Sequence, residues 1–318
     1  NRIPHWFTEA AAVWGEGGPR PAGWWVLLTK AYTNDSLFDM DTISLRFVRP
    51  RTPTDRTQAY AQGHWMYAFL VERFGVRAPL EMMDLYAQGR SEREAMTEVL
   101  GITPEAFFAD FKAWAHGELI EAGMLPGEEE PALSALLPTE NAITREKVDA
   151  ILEEHPGHAE LLQLAVQLVL RENDSEPTAG MAGLLERYAR ARPVDPLPHR
   201  MLAKLSLAGE MEDAPERAIE HLEFLDAREM RSPAYALALA ERYAEMGRLE
   251  EAWAKVTRAT MIAPFDAATR EQAARVALLR GDLEAAEKQL EALAKIEPNR
   301  ELHRRRLEAL RRKMKDKG

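Results

Sequence analysis

Residues 3–16 read I-P-H-W-F-T-E-A-A-A-V-W-G-E. Pro4 suits the first turn of a helix, where its missing N–H costs nothing. From there Trp6, Phe7, Ala10, Val13 and Trp14 recur at helical spacing and make one apolar face. Glu9 sits among them. A carboxylate on such a face is costly to bury unless it is paired or bound to a cation. The plain alternatives for it are a salt bridge and a solvated edge. His5 stands four residues earlier on the same face, a spacing that suits a metal ligand and equally a half-exposed structural side chain.

A second stretch, 60–75, reads Y-A-Q-G-H-W-M-Y-A-F-L-V-E-R-F-G. Thr54 or Asp55 is expected to cap the helix that carries it, and Gly75 to end it. Tyr60, His64 and Tyr67 fall at i, i+4 and i+7 and share a face. A hydroxyl and an imidazole there can serve a hydrolytic centre as electrophilic donor and proton donor. They can equally be the polar tips of an amphipathic core helix.

The composition divides the chain of 318 residues. Six of the seven Trp and eight of the ten Phe lie before residue 115, and the remainder is rich in Ala, Leu, Glu and Arg. The change falls near L-P-G-E-E-E-P-A-L-S-A-L-L-P-T-E-N, whose prolines, glycine and acidic run mark a connection. The expected organisation is a helical domain over 1–124, a linker over 125–142 and a repeat array over 143–318. A net charge of −11 repels phosphate and argues against nucleic acid as a partner. No apolar run is long enough for a membrane span. With no cysteine, disulfides and thiolate metal sites are excluded and the redox compartment is left open. The expectation is a soluble protein of unassigned compartment, with export allowed.

Within the first domain, Trp24 to Tyr32 reads as a short helix and Thr42 to Val48 as the one extended piece. Phe38 and Phe47 either pack under the Glu9 helix or line a cleft. Residues 77–89 and 91–100 read as helices, the second with a capping box from Ser91 and Glu94. Thr103 is expected to cap a helix from Pro104 to about Ala115 with a core stripe of Phe107, Phe108, Phe111 and Trp114.

The second half repeats. Tyr243, Gly247, Ala252 and Pro264 are matched thirty-four residues later by Ala277, Gly281, Ala286 and Pro298. Gly permits a tight turn between two helices, Ala lets them pack closely, and Pro stops the second. The period and these positions resemble tetratricopeptide repeats. The units are about 233–266 and 267–300, preceded by a degenerate one at 198–232, where Asp213 stands in place of the turn glycine. A further unit spans 157–197, with R-E-N-D-S-E-P-T as a lengthened turn. Ile143 to Glu154 is a half repeat, and a basic cap helix follows Arg300. His155 and His158, in H-P-G-H, read as polar surface. The resemblance implies a concave groove for a peptide or a partner protein, or a rigid spacer with no ligand.

W-F-T-E-A-A-A-V-W resembles the helix that carries the third zinc ligand in gluzincin metallopeptidases, most nearly the peptidase-MA-like branch. Y-x-x-G with its aromatic helix resembles the segment whose tyrosine donates a hydrogen bond to the tetrahedral intermediate. By that resemblance Glu9 is the third zinc ligand and Tyr60 the oxyanion stabiliser; His64 and His5 are weaker candidates read from their spacing, and the family pattern calls for no histidine at position 5. The departure is the absence of H-E-x-x-H anywhere in the sequence, which in that family supplies two ligands and the general base. The expectation is an all-α protein: the C-terminal portion of a zinc-dependent metallopeptidase-like protein, fused to protein-binding repeats. Zinc would belong to the intact parent, and this chain alone would bind none and be inactive. The alternative is a non-catalytic interaction scaffold.

Overall fold

The computed structural model describes residues 3–137, 143–211 and 214–315. Eighteen α-helices and one short 3₁₀ turn account for the described regular structure, and no strand occurs among these residues. The chain forms two compact units, residues 1–168 with 187–195, and residues 169–186 with 196–318.

The first unit begins with α1 (His5–Gly15), α2 (Ala22–Thr33), α3 (Ile43–Val48) and α4 (Asp55–Phe74). It continues with α5 (Ala78–Ala87), α6 (Glu92–Leu100), α7 (Pro104–Glu121), the short α8 (Leu133–Leu136) and α9 (Arg145–Glu154). α4 is the axis: Ala59, Ala61, Trp65, Met66 and Leu70 are fully buried, and Gln58, Gln62 and Tyr67 nearly so. Trp6, Phe7, Leu28, Met82, Met96, Phe107 and Phe111 close around it. Truncating one of the buried Phe rings to Ala costs about 3–5 kcal/mol in such a core.

The expected extended piece at Thr42 to Val48 is instead the helix α3. The Asp39 carboxylate accepts from the backbone N–H (2.9 Å) and the hydroxyl (2.6 Å) of Thr42, which starts a helical turn. Ile43 and Phe47, four apart, then fall on one buried face. Thr54 makes no side-chain cap. Asp55 turns back instead, accepting from Arg51 N (2.9 Å) and the Thr52 hydroxyl (2.5 Å). The Ser91–Glu94 capping box and the Thr103 cap are present as read.

Gly123 ends α7 at φ +65°, and a Cβ there would lie 2.0 Å from the Ala191 carbonyl oxygen. The same crossing is fastened by Arg192, whose Nε–H donates to the Gly123 carbonyl (2.8 Å). Only glycine satisfies both the left-handed backbone and the close approach. His158, read as polar surface, is buried. Its Nδ1 accepts from Leu161 N (3.3 Å), so Nε2 carries the proton donated to the Pro131 carbonyl (3.0 Å).

α10 (Ala159–Glu172) and α11 (Ala182–Ala191) follow in the chain, and α12 (Pro196–Leu207) then pairs with α13 (Ala214–Arg228). Next come α14 (Ala234–Glu245) with α15 (Leu249–Ile262), α16 (Ala267–Arg280) with α17 (Leu283–Ile296), and the cap α18 (Glu301–Lys315). Ala218, Ala252 and Ala286 are all buried where the helices touch. Gly247 and Gly281 take φ +73° and +76°. Beside them Arg248 N reaches Tyr243 O (2.8 Å) and Asp282 N reaches Ala277 O (3.0 Å), the six-to-one bond of a Schellman turn. The degenerate repeat uses the same device at Gly209, φ +74°, where Glu210 N reaches Leu205 O (3.0 Å). Its turn glycine is therefore not replaced but placed earlier in a longer connection; Asp213 lies outside the described residues. Asp226, buried at the end of α13, accepts from Lys255 (2.9 Å) and Arg258 (3.0 Å) of α15 and ties neighbouring repeats together.

Candidate functional site

The first unit brings three of the four sequence candidates together. α1 buries Trp6, Phe7 and Ala10 and leaves Glu9 at the edge of that face, 31% exposed. α1 crosses α4 at Gly63, where a Cβ would touch Ala10 Cβ at 3.6 Å and Trp6 O at 3.7 Å. Small residues at the crossing let the helices approach, and Tyr60, one turn before Gly63, meets Glu9. The Tyr60 phenol lies beside the Glu9 carboxylate. The neighbouring Glu9 carboxylate, with burial second, holds the phenol above its ordinary pKa, against the pull of Arg56.

Phe47 organises the cluster. Its ring meets Tyr60 edge-on at 4.8 Å and His5 at 5.3 Å. His5 Nε2 stands 3.9 Å from Glu9 Oε1. Phe47 and Phe38 are both buried, which settles them as packing residues. The segment before α3 is pinned to α4 by two glutamines. Gln62 takes the Phe38 N–H (2.9 Å) on its oxygen and gives its own N–H to the Phe38 carbonyl (2.5 Å), while Gln58 donates to Ser36 O (2.8 Å).

His64 is engaged elsewhere. Its ring lies 5.8 Å from Trp24, and burial together with the Arg20 charge lowers its pKa to about 4. Tyr67 packs on Phe7 and Trp14 of α1. The shared face expected from i, i+4, i+7 spacing is thus divided among different neighbours, because α4 is enclosed on most sides. Beyond His64, Arg20 is almost wholly buried between Trp25 (4.2 Å) and Trp65 (5.2 Å), and desolvation lowers its pKa to about 10.

Glu92 escaped the sequence reading. It accepts the Trp6 indole N–H at 2.6 Å and borders a cavity of about 630 Å³ with His5, Asp41 and Ser44. Burial raises its pKa to about 7, the indole bond opposing and Asp41 reinforcing the rise. Nothing local in the sequence signals this, since the partners are 86 positions apart.

A catalytic zinc takes three protein ligands and leaves one position open. Glu9 and His5 offer two donors, and no group of three His, Cys, Asp or Glu suited to a metal occurs among the described residues. The donor set of this chain therefore does not fit that ion by itself.

In the second unit a groove of about 860 Å³ runs between α14, α16 and α18. Leu278, Leu279, Leu290 and Leu310 make its floor. Its edges carry Arg275, 3.8 Å from Glu241, Arg306, 2.6 Å from Glu271, and Lys313. No helix among the described residues is long and apolar enough to cross a membrane.

Residues 1–117 match the family model of the Peptidase MA superfamily. The chain joins this peptidase-MA-like region to tetratricopeptide-like helical repeats. No curated protein matches it. Among solved structures it is similar to YrrB, described as a TPR protein with an unusual peptide-binding site, at 18% identity and TM-score 0.38, over 50% of this chain and 79% of that one. Two structures of MamA match at 17% identity, with TM-scores of 0.35 and 0.34, over 48% and 49% of this chain and 81% and 87% of theirs. These likenesses are distant, and the repeat architecture stands on the helix pairs themselves.

Proposed function

We propose that the peptidase-MA-like region supplies the supporting half of a zinc metallopeptidase centre. Glu9 is the carboxylate it offers to the ion, and Tyr60 the hydroxyl it offers to the substrate's oxyanion. The observation that carries this reading is the close crossing of α1 and α4 at Gly63, which sets Tyr60 beside Glu9, the two residues singled out by the family resemblance. A phenol packed edge-on against Phe47 beside that carboxylate is placed to donate to a developing oxyanion. His5, 3.9 Å from Glu9, is a second donor and does not complete the set. The remaining donors and the general base are proposed to lie on a segment preceding Glu9 in the full protein. Residues 1–318 by themselves are expected to be inactive, and no step of a reaction is assigned to them.

The repeats are proposed to hold a peptide or protein segment in the apolar groove over Leu278 and Leu279, which are about half exposed. The overall negative charge disfavours nucleic acid there.

The test is a protein extended upstream along its reading frame. It should contain zinc, and Glu9→Ala should lower the zinc content. Tyr60→Phe should keep the zinc and lose roughly 10²–10³-fold in turnover, as expected for an oxyanion donor. An extended protein without H-E-x-x-H, or one whose zinc is indifferent to Glu9→Ala, overturns the enzymatic reading. A peptide array probed with the intact chain and with Leu278→Asp then decides whether the groove acts alone as a scaffold.

A further inference from the structure

The hairpin of α12 and α13 carries two histidines that neither the peptidase-like region nor the groove uses. His199 lies in the first turn of α12 and His221 midway along α13. Their Nδ1 atoms stand 3.2 Å apart, with ring centroids 5.2 Å apart and planes at 69°. His221 is buried and His199 half-buried. Phe224, nearly one turn after His221, stacks flat on the His199 ring at 3.6 Å and 6°. The Arg228 guanidinium lies 3.5 Å from the centroid of the same Phe224 ring. This column fixes the plane of His199, so the two nitrogens face one another by construction.

Two imidazole nitrogens at this distance are bridged either by a proton or by a cation that takes both lone pairs. With metal–nitrogen bonds of about 2.0–2.1 Å, a 3.2 Å separation closes an angle of roughly 100° at the ion. Tetrahedral and square geometries both lie near that value. The field is favourable: Glu186 and Glu220 act on His221, opposed by Arg217, which pairs with Glu186 at 2.5 Å. Burial lowers the proton affinity of His221, which keeps it neutral and able to ligate at neutral pH.

We propose that His199 and His221 form a two-histidine site for a late first-row divalent cation, with copper and nickel held more tightly than manganese or iron. Imidazole donors select these ions over magnesium and calcium, which prefer oxygen. No third His, Cys, Asp or Glu completes a metal group among the described residues, so water fills the other positions and the affinity is modest. The ion joins α12 to α13 and stabilises the repeat by binding only the folded hairpin.

The experiment is a calorimetric titration of the intact chain with nickel chloride near pH 7.5, where imidazoles are neutral, with the Cu²⁺ electron paramagnetic resonance spectrum recorded in parallel. One saturable nickel site per chain is expected. His199→Gln and His221→Gln should each weaken it roughly tenfold or more, while His155→Gln leaves it unchanged. The copper spectrum of the wild type should show coupling to two imidazole nitrogens, a result that needs no variant to fold. No saturable binding, affinity unchanged in both variants, or a copper spectrum without nitrogen coupling overturns the proposal and leaves the pair sharing a proton.

Discussion

Glu9 and Tyr60 show what a single side-chain pair can do at a helix crossing. The carboxylate raises the pKa of the phenol, and Phe47 packs edge-on against its ring. Tyr60→Phe in this chain should therefore cost no more than about 1 kcal/mol, the loss of a polar group beside a partly exposed carboxylate, measured as a shift in urea midpoint. Glu92 makes a sharper prediction. Its folded pKa of about 7 lies above the ordinary value of 4.5. The folded protein thus holds a proton that the unfolded chain releases between those values. The associated stability is present below about pH 4.5 and is lost as pH rises through about 7. Glu92→Gln keeps an acceptor for Trp6 and removes the titration. It should be more stable than wild type at pH 8, by on the order of 2 kcal/mol, with the two converging at pH 4.5. Thermal melts at the two pH values check this. The helical period puts His5 and Glu9 on one face of α1, and the family resemblance singles out Glu9 and Tyr60. Glu92 and Gln62 were not legible, because their partners Trp6 and Phe38 lie 86 and 24 positions away.

At the scale of elements, turn chemistry decided more than periodicity. α3 was misread as extended because Ile, Phe and Val suit either state, and the Asp39–Thr42 contact that starts the helix is a capping detail. The degenerate repeat lost its glycine in the sequence only because Gly209 precedes the expected position. Gly209→Ala should cost roughly 1–2 kcal/mol, the left-handed penalty. Gly123→Ala should cost about 3 kcal/mol, since the same penalty is joined by overpacking against the Ala191 carbonyl. Denaturant midpoints separate the two. The α12–α13 hairpin should also be pH-sensitive. Burial depresses the pKa of His221, so the unfolded chain binds the proton first. The contribution is complete above the unfolded value of about 6.5 and is lost as pH falls from there through the folded value. His221→Gln should flatten the stability profile below pH 6.5, read by circular dichroism.

Over the whole molecule, the chain forms two compact units. Most of the aromatic residues lie in the first unit, but that unit runs through residue 168 and takes in residues 187–195, past the change of composition near residues 125–141. Six of the seven Trp report the first unit, Trp253 the second. Leu293→Ala, at a buried position of the last repeat, should remove about 2–5 kcal/mol and lower the helical melting midpoint, with little change in the main tryptophan fluorescence transition. The functional account depends on Glu9 facing a metal in the complete protein. Its most direct test is zinc per polypeptide, by elemental analysis, in the upstream-extended protein and its Glu9→Ala variant. About one zinc in the former and a clear loss in the latter is the predicted result. Equal zinc in both, or none in either, would contradict it.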